Sequence, residues 1–564
     1  MNSGTVVLNG TNSATTLNVN SGGTLAGAGS IDPAMTIFSG GTLAPGTPGT
    51  PGGTLTISGS VTFEGGSYYQ IAINNQPLNS QATVNGAVTI NGGTVVLVPA
   101  ASLGTIYTAS TFTILESSGL TGAFNPTAIY GGSVKLSGTA TVTNFNGNDD
   151  VEVSYLNSIA LLQPPSNATV NEQNVSNAIN NAILDGDGLP AGIGNLGNLS
   201  GPAVLNALNQ LTGEVGTGAQ TSAFQLLTDF MNLLSDPSSG GGGSPTGGGA
   251  QGFAPEQEAS LPSDIADAYA SILTKTPPAP QSFEQRWSAW GSAYGGAAKL
   301  DGNATAGSND VTASDYGFAA GMDYRATPDS VYGFALAGGG TNWSVAQNLG
   351  TGRSDSFQIG VHDTTHWGPF YLSGALAFAN HWITTNRTAL GDQLTANFDG
   401  QSYAARGEAG YRYAVPVTGQ VIGVTPYAAL QVQDFHTPSF SETDLTGGGL
   451  GVAFAAINAT DTRSELGARF DNLQVVDAMP LVLRARVAWA HDWISNQALG
   501  AVFQALPGSS FTVNGAAPPQ NSALTSASAE LHLNTNWTAI AKFDGEFAQT
   551  AQTYAGTGTL KYSW

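Results

Sequence analysis

"SYAARGEAGYRYAV", Ser402 to Val415, alternates with a period of two. Tyr403, Ala405, Ala409, Tyr411 and Tyr413 fall on one side of an extended chain, and Arg406, Glu408 and Arg412 on the other. The pattern recurs. "RSELGARFD" sets Leu466, Ala468 and Phe470 against Arg463, Glu465, Arg469 and Asp471. "LVLRARVAWAHDW" sets Leu483, Ala485, Val487 and Trp489 against Arg484, Arg486 and Asp492, and "WTAIAKFDGEF" sets Ala541, Phe543 and Phe547 against Lys542, Asp544 and Glu546. A soluble sandwich would bury the apolar side and leave the charges in water, so alternation alone does not decide the fold. Length and aromatics do. Segments of roughly ten residues or more can cross a bilayer at a tilt of about 45°. Trp343, Trp367, Trp382, Trp493 and Trp537 stand near segment ends, as interfacial girdles require.

Twelve such segments start near Trp287, Tyr316, Tyr332, Phe357, Phe370, Tyr403, Thr425, Arg463, Leu481, Ser526, Trp537 and Gly556. An even number of antiparallel strands closes a barrel with no unpaired edge in lipid. On this reading the charged sides, including Lys561, face the lumen. The chain ends on "TGTLKYSW", where Gly558, Leu560, Tyr562 and Trp564 share the lipid side, so the last strand can end in the girdle and pair with the first.

The totals agree with a membrane protein built of strands. Only 9% of the 564 residues are charged, against roughly a quarter in ordinary globular chains. No apolar run of about 20 residues offers a transmembrane helix. The net charge of -23 opposes binding to nucleic acid. Lys135 is the only cation before Lys275, and Cys is absent, which removes disulfides and thiolate chemistry.

Residues 1–163 read as a solenoid. "SGGTLAG" (21–27), "SGGTLAPG" (39–46), "GGTLTISG" (52–59) and "NGGTVVLV" (91–98) each put a glycine turn before a short Thr/Leu/Val/Ile strand. This spacing predicts a right-handed β-helix, with a sandwich of unrelated short strands as the alternative. All six His lie at 362 or later, so no His-assisted nucleophile or His-ligated metal can form within residues 1–361. Asp149, Asp150 and Glu152 lack calcium-ligand spacing and read as a solvated loop and strand start. No metal or cofactor site is expected.

From 164 to 235 the period becomes helical. Val175, Ala178, Ile179, Ala182 and Ile183 share one face, Val204, Leu205, Leu208 and Leu211 a second, and Phe224, Leu227, Phe230, Met231 and Leu234 a third. Residues 236–262, rich in Gly, Ser and Pro, read as a flexible tether. Residues 263–275 begin with an N-cap Ser263 and end at Lys275 before Pro277 and Pro278. The small side chains of Ala266, Ala268 and Ala270, together with Ile265, Tyr269 and Ile272, suit a helix threaded through the barrel that begins at 283; an ordinary linker helix fits equally well.

This order of parts resembles the autotransporters, the self-secreting outer-membrane proteins of Gram-negative bacteria. The resemblance rests on "SGGTLAGAGSI…SGGTLAPG…GGTLTISGSVTF", on "LNQLTGEVGTGAQTSAFQLL" after the solenoid, and on "RWSAWGSAYGG" through "LKYSW". It implies an all-β protein with a β-helix passenger, a short helical segment and a twelve-stranded barrel with a pore helix. The passenger would cross the outer membrane as an unfolded hairpin and fold outside. It implies further that Gly558, Leu560, Tyr562 and Trp564 form the signal read by the barrel-assembly machinery, with periplasmic chaperones and outer-membrane lipid as further partners. The family usually ends on Phe where this chain has Trp564.

The start "MNSGTVVLNG" has neither a basic nor an apolar leader region, so a longer precursor is expected. The leading functional expectation is a non-enzymatic secretion and display device with a stalk or adhesin passenger and an unknown surface ligand. The rivals are an enzymatic passenger encoded upstream and a porin-like channel. Arg406, Glu408, Arg412, Arg463, Glu465, Arg469, Asp471, Arg484, Arg486, Asp492, Lys542, Asp544, Glu546 and Lys561 are expected to form one structural network in the lumen. A catalytic alternative would use Glu408 or Glu465 to cleave the passenger.

Overall fold

In the computed structural model, residues 1–235 and 286–564 are described, apart from 14–15, 77, 145–148, 418–419, 478 and 496–497. The tether and the helix expected at 263–275 lie outside the described residues.

From the N-terminus, each strand pairs in parallel with the strand three positions later, so the chain winds through three faces per coil. One face runs Gly4–Val7, Gly23–Gly27, Thr42–Pro45, Tyr68–Ile73 and Thr94–Pro99; the third runs Thr16–Val19, Ala34–Ile37, Val61–Phe63 and Val88–Ile90. Parallel register stacks like on like. Leu25, Leu43, Tyr69 and Val95 form one internal column and Val19, Ile37, Phe63 and Ile90 another, all sealed from solvent. No coil could bury these side chains alone, so burial by neighbours holds the stack together.

The glycine turns are required at the corners. Gly40 and Gly66 have φ of 74° and 81°, and a Cβ on either would lie 2.5 or 2.6 Å from the Oγ of Ser21 or Ser39 in the coil below.

The solenoid ends by turning antiparallel. Ser110–Ser117 pairs with Val151–Tyr155, which pairs with Ala140–Asn144. The helix Val170–Asp185, opened by a Thr169/Glu172 capping box, then covers the last coil. Its Asn180 side chain accepts from Leu162 N–H (2.8 Å) and donates to Leu162 C=O (2.9 Å). The short helix Pro202–Leu211 and a 3-10 turn, Glu214–Thr217, lead into the helix Gly218–Ser235.

Twelve antiparallel strands of 11 to 20 residues then close a barrel: Trp287–Leu300, Val311–Thr327, Ser330–Val345, Gly350–Trp367, Phe370–Ala389, Asp392–Tyr411, Gln420–Thr437, Ile457–Val476, Met479–Ile494, Asn521–His532, Trp537–Phe547 and Ala551–Ser563. Each of the twelve sequence-expected segments falls in a different strand. First and last strands pair from Ser288↔Ser563 to Leu300↔Ala551, and the backbone of Trp564 bonds Trp287 in both directions. One end carries short turns such as 327–330 and 367–370; the other carries long loops at 300–311, 437–457 and 494–521. In bacterial outer-membrane barrels the short turns are periplasmic and the long loops face outward.

The apolar parity faces outward: Phe318, Leu376 and Val487 stay about 60% exposed. Trp367, Trp382, Trp493 and Trp537 lie on that surface. Trp343 does not, which corrects its assignment to the girdle. It shares parity with the inward Ala335 and Ala337, is 3% exposed, and donates from Nε1 to Val215 C=O at 3.0 Å.

Candidate functional site

The lumen is filled by the helix Gly218–Ser235. Its apolar face, Leu226, Leu227, Phe230, Met231, Leu233 and Leu234, packs on Ala319, Ala335, Ala337, Ala375, Ala377, Ala379 and Ala404, with Trp290 and Tyr294 at the margin. Strand register explains the fit. Ala404, Ala377, Gly360, Ala335 and Gly321 are direct neighbours on five consecutive strands, so a row of residues with no side chain beyond Cβ makes a trough for the helix. The helical period alone puts Leu227, Phe230, Met231 and Leu234 on one core-packing face; the wall of that core is the barrel.

The helix turns its polar face the other way. Gln225, Thr228 and Asp229 look across a cavity of about 130 Å³ at Arg463, Glu465, Arg486, Asp492, Asp544 and Glu546. Twelve of the fourteen sequence-expected charges pair with one another on the inner face of the barrel, in more than one cluster. Arg406 forks onto Glu465 (2.7 and 3.0 Å) and also holds Glu408 (2.9 Å). Arg469 clasps Glu408 and lies 4.2 Å over the Tyr427 ring. Arg463 bridges Asp492 (2.7 Å) and Glu546 (2.8 Å), and Arg412 forks onto Asp471. Arg486 lies 3.8 Å from Glu465 and 3.5 Å from Asp544, which also holds Lys542 at 3.1 Å.

Several partners were missed from sequence. Tyr371 donates to Glu408 (2.6 Å) and Tyr427 to Glu465 (3.2 Å). Arg484 is paired with Glu530, and Lys561 with Asp323, which His362, Ser288 and Trp290 also reach. Their inward parity was readable; which tyrosine or acid would meet which arginine depends on register across strands.

At the outer mouth the chain entering the lumen is latched. Glu214, 1% exposed, accepts from the N–H (2.7 Å) and the Nδ2 (2.6 Å) of Asn309 in the 300–311 loop. Arg387 donates to Gln210 C=O at 2.7 Å and forks onto Glu442. Burial pushes the Glu214 carboxyl from 4.5 up to about 7, and the two Asn309 donors offset this only in part. The folded state therefore binds a proton the unfolded chain lacks between pH 4.5 and 7, so the latch is strongest below that window and weakens as pH rises through it. We expect docking of the mouth, read by Trp343 fluorescence during thermal melting, to lose about 3 kcal/mol between pH 4.5 and 7.5. Glu214→Gln should flatten that profile; an unchanged profile would assign the dependence to another group.

A closed twelve-stranded barrel, girdled by aromatics and shut by a helix of its own chain, is an outer-membrane transport fold. Residues 289–544 match the family model of the autotransporter beta-domain, and the barrel is an autotransporter translocator domain that belongs in the bacterial outer membrane. An extracellular serine protease of Serratia marcescens is 22% identical over 269 residues; the match spans 47% of this chain and only 25% of that relative's length. Among solved structures, the translocator domain of the autotransporter NalP from Neisseria meningitidis is similar at 12% identity, covering 49% of this chain and 88% of its own, with a TM-score of 0.40. The transport unit of AIDA-I from Escherichia coli is similar at 15% identity, covering 55% and 100%, with a TM-score of 0.37.

Proposed function

We propose that residues 1–217 are the exported part of this chain and that the barrel, filled by the helix Gly218–Ser235, holds them at the cell surface, where they act as a stalk. The carrying observation is the direction of the lumen helix. Its first residue, Gly218, abuts Trp343 at the long-loop end, while Leu234 reaches the middle of the barrel beside Gly360. Everything before Gly218 therefore belongs on the outer side. The docking of the helical segment on the loops favours display over release.

The charged wall serves as a set of struts in this reading. Both oxygens of Glu408 and of Glu465 are taken up by arginine and tyrosine donors, which leaves neither poised as a base for cleaving the passenger. Insertion would proceed with the assembly machinery reading the lipid-facing Leu560, Tyr562 and Trp564, and with periplasmic chaperones upstream of it. The Serratia relative's name favours a second reading, an enzymatic passenger, whose catalytic His would have to come from outside residues 1–361.

The absence of native Cys makes the test clean. A Cys at Ser60, exposed on the solenoid, should react with a membrane-impermeant maleimide on intact cells, and a Cys at Asp329, exposed in a short turn, only after permeabilisation. The reverse pattern would refute the topology.

A further inference from the structure

The charges around the lumen cavity do not balance. Asp229, Asp461, Glu465, Asp492, Asp544 and Glu546 give its wall six carboxylates, against the two guanidinium groups of Arg463 and Arg486. Arg406 and Lys542 reach Glu465 and Asp544 from beside it, at 2.7 and 3.1 Å, which still leaves six acids to four cations. Arg463 is divided between Asp492 and Glu546, and Arg406 also serves Glu408.

Asp461 is the acid left over. It is 7% exposed, and among the described residues its carboxylate forms no hydrogen bond and no ion pair. Register explains why. Its neighbours across the two adjacent strands are Gln433 and Ile494, and the next inward side chain on its own strand, Arg463, turns to Asp492. An ionised carboxylate in this position keeps its desolvation cost with no attraction to offset it.

A single proton would neutralise one acid, whereas the wall carries an excess of two. The cavity has room for more than a proton. A water molecule takes about 30 Å³ of liquid volume, so 130 Å³ holds an ion together with part of its water. Among the described residues no three acids group closely enough to grip a bare metal ion, which points to a hydrated and weakly held one. Pro518 and Pro519 of the 494–521 loop line the same cavity, so it lies toward the long-loop end and the outside.

We propose that this cavity binds a small monovalent cation, sodium or potassium, which keeps part of its water and sits against Asp461. The ion balances the wall and faces Asp229 on the polar side of the helix Gly218–Ser235, so it helps to hold that helix against the charged strands. The site belongs to the barrel and is independent of whether residues 1–217 are exported.

The test is thermal unfolding of the full chain in uncharged detergent micelles, followed by circular dichroism, in the chloride salts of sodium, potassium and N-methyl-D-glucamine at one ionic strength of about 150 mM, so that screening is held constant. The organic cation is too large for the cavity. Sodium or potassium should raise the midpoint by roughly 3 °C, the shift expected for an ion present at about ten times its Kd. Asp461→Asn keeps the shape and removes the charge, and should melt at one temperature in all three salts. Asp399→Asn, exposed on the outward face, should keep the full salt difference. Line broadening of the sodium NMR signal by the unmodified protein, reversed by potassium and lost in Asp461→Asn, gives a direct reading of the same site. Equal midpoints for the unmodified protein in the three salts would assign the balance to protons and overturn the proposal. A salt difference that survives Asp461→Asn, or that Asp399→Asn also removes, would place the effect on the surface and overturn it as well.

Discussion

Arg406→Leu is expected to cost the inserted barrel about 3–5 kcal/mol, the largest single loss from any lumen charge. Arg406 is 6% exposed and stands between two carboxylates, Glu408 and Glu465, both nearly sealed from solvent. Removing it leaves Glu465 with Arg486 at the longer distance of 3.8 Å and Glu408 with Arg469. An uncompensated buried charge costs far more than the pair contributes when intact, because the desolvation is retained while the attraction is lost. Arg406→Leu combined with Glu465→Leu should therefore be less harmful than Arg406→Leu alone. Arg406→Lys should fall between, since an ammonium keeps the charge but cannot fork onto Glu465. The measurement is the temperature at which the folded band is lost on gels after heating in detergent, converted into a double-mutant cycle. Additive losses below about 1 kcal/mol would show the charges to be separately hydrated, not mutual partners.

That network shows how much of the molecule its sequence discloses. Parity is a local property: Arg406, Glu408 and Arg412 must share a face whatever the strand pairs with, and so must Tyr403, Ala405 and Ala409. The twelve strands and the inward charges follow from it. Strand ends do not, because parity marks a face and not where pairing stops: the strand that holds Tyr403 begins at Asp392, and its Leu394 and Thr395 pair with Asp444 and Thr443 of the 437–457 loop. Trp343 shows the opposite error. A preference for tryptophan at interfaces outweighed its parity, which pointed inward beside Ala335 and Ala337.

What parity cannot supply is register. The trough under the lumen helix consists of five residues from five strands, and no one of them is distinctive in its own segment. Ala377 or Gly360 read alone is merely small. The helix Gly218–Ser235 shows the same limit: an apolar stripe of Leu227, Phe230 and Leu234 looks alike whether its cover is another helix or a barrel wall. The expected helix at 263–275 lies outside the described residues; among those described, a helix of large side chains, Gly218–Ser235, fills the trough of alanine and glycine.

The trough makes a strong demand at Gly360, and Gly360→Phe should open the barrel. A Cβ at this position would already stand 2.3 Å from Cδ1 of Leu234 and 3.0 Å from the ring of Phe230, with Leu376 C=O at 3.2 Å behind it. The strand backbone is fixed by pairing on both sides, so the helix must give way. Its outer end is held by the Glu214–Asn309 and Val215–Trp343 contacts, so the inner turns swing off the wall while the mouth stays latched. Planar-bilayer recordings should change from a nearly silent baseline to resolved open-state currents. Two variants tie the effect to the seat. Gly338→Phe adds the same ring where Gly338 faces lipid and no atom lies closer than 4.0 Å, and it should stay silent. Gly360→Phe with Leu234→Ala returns the lost volume to the trough and should close the channel again. If Gly360→Phe inserts as a folded barrel and conducts no more than Gly338→Phe, then the helix Gly218–Ser235 is not what seals the pore.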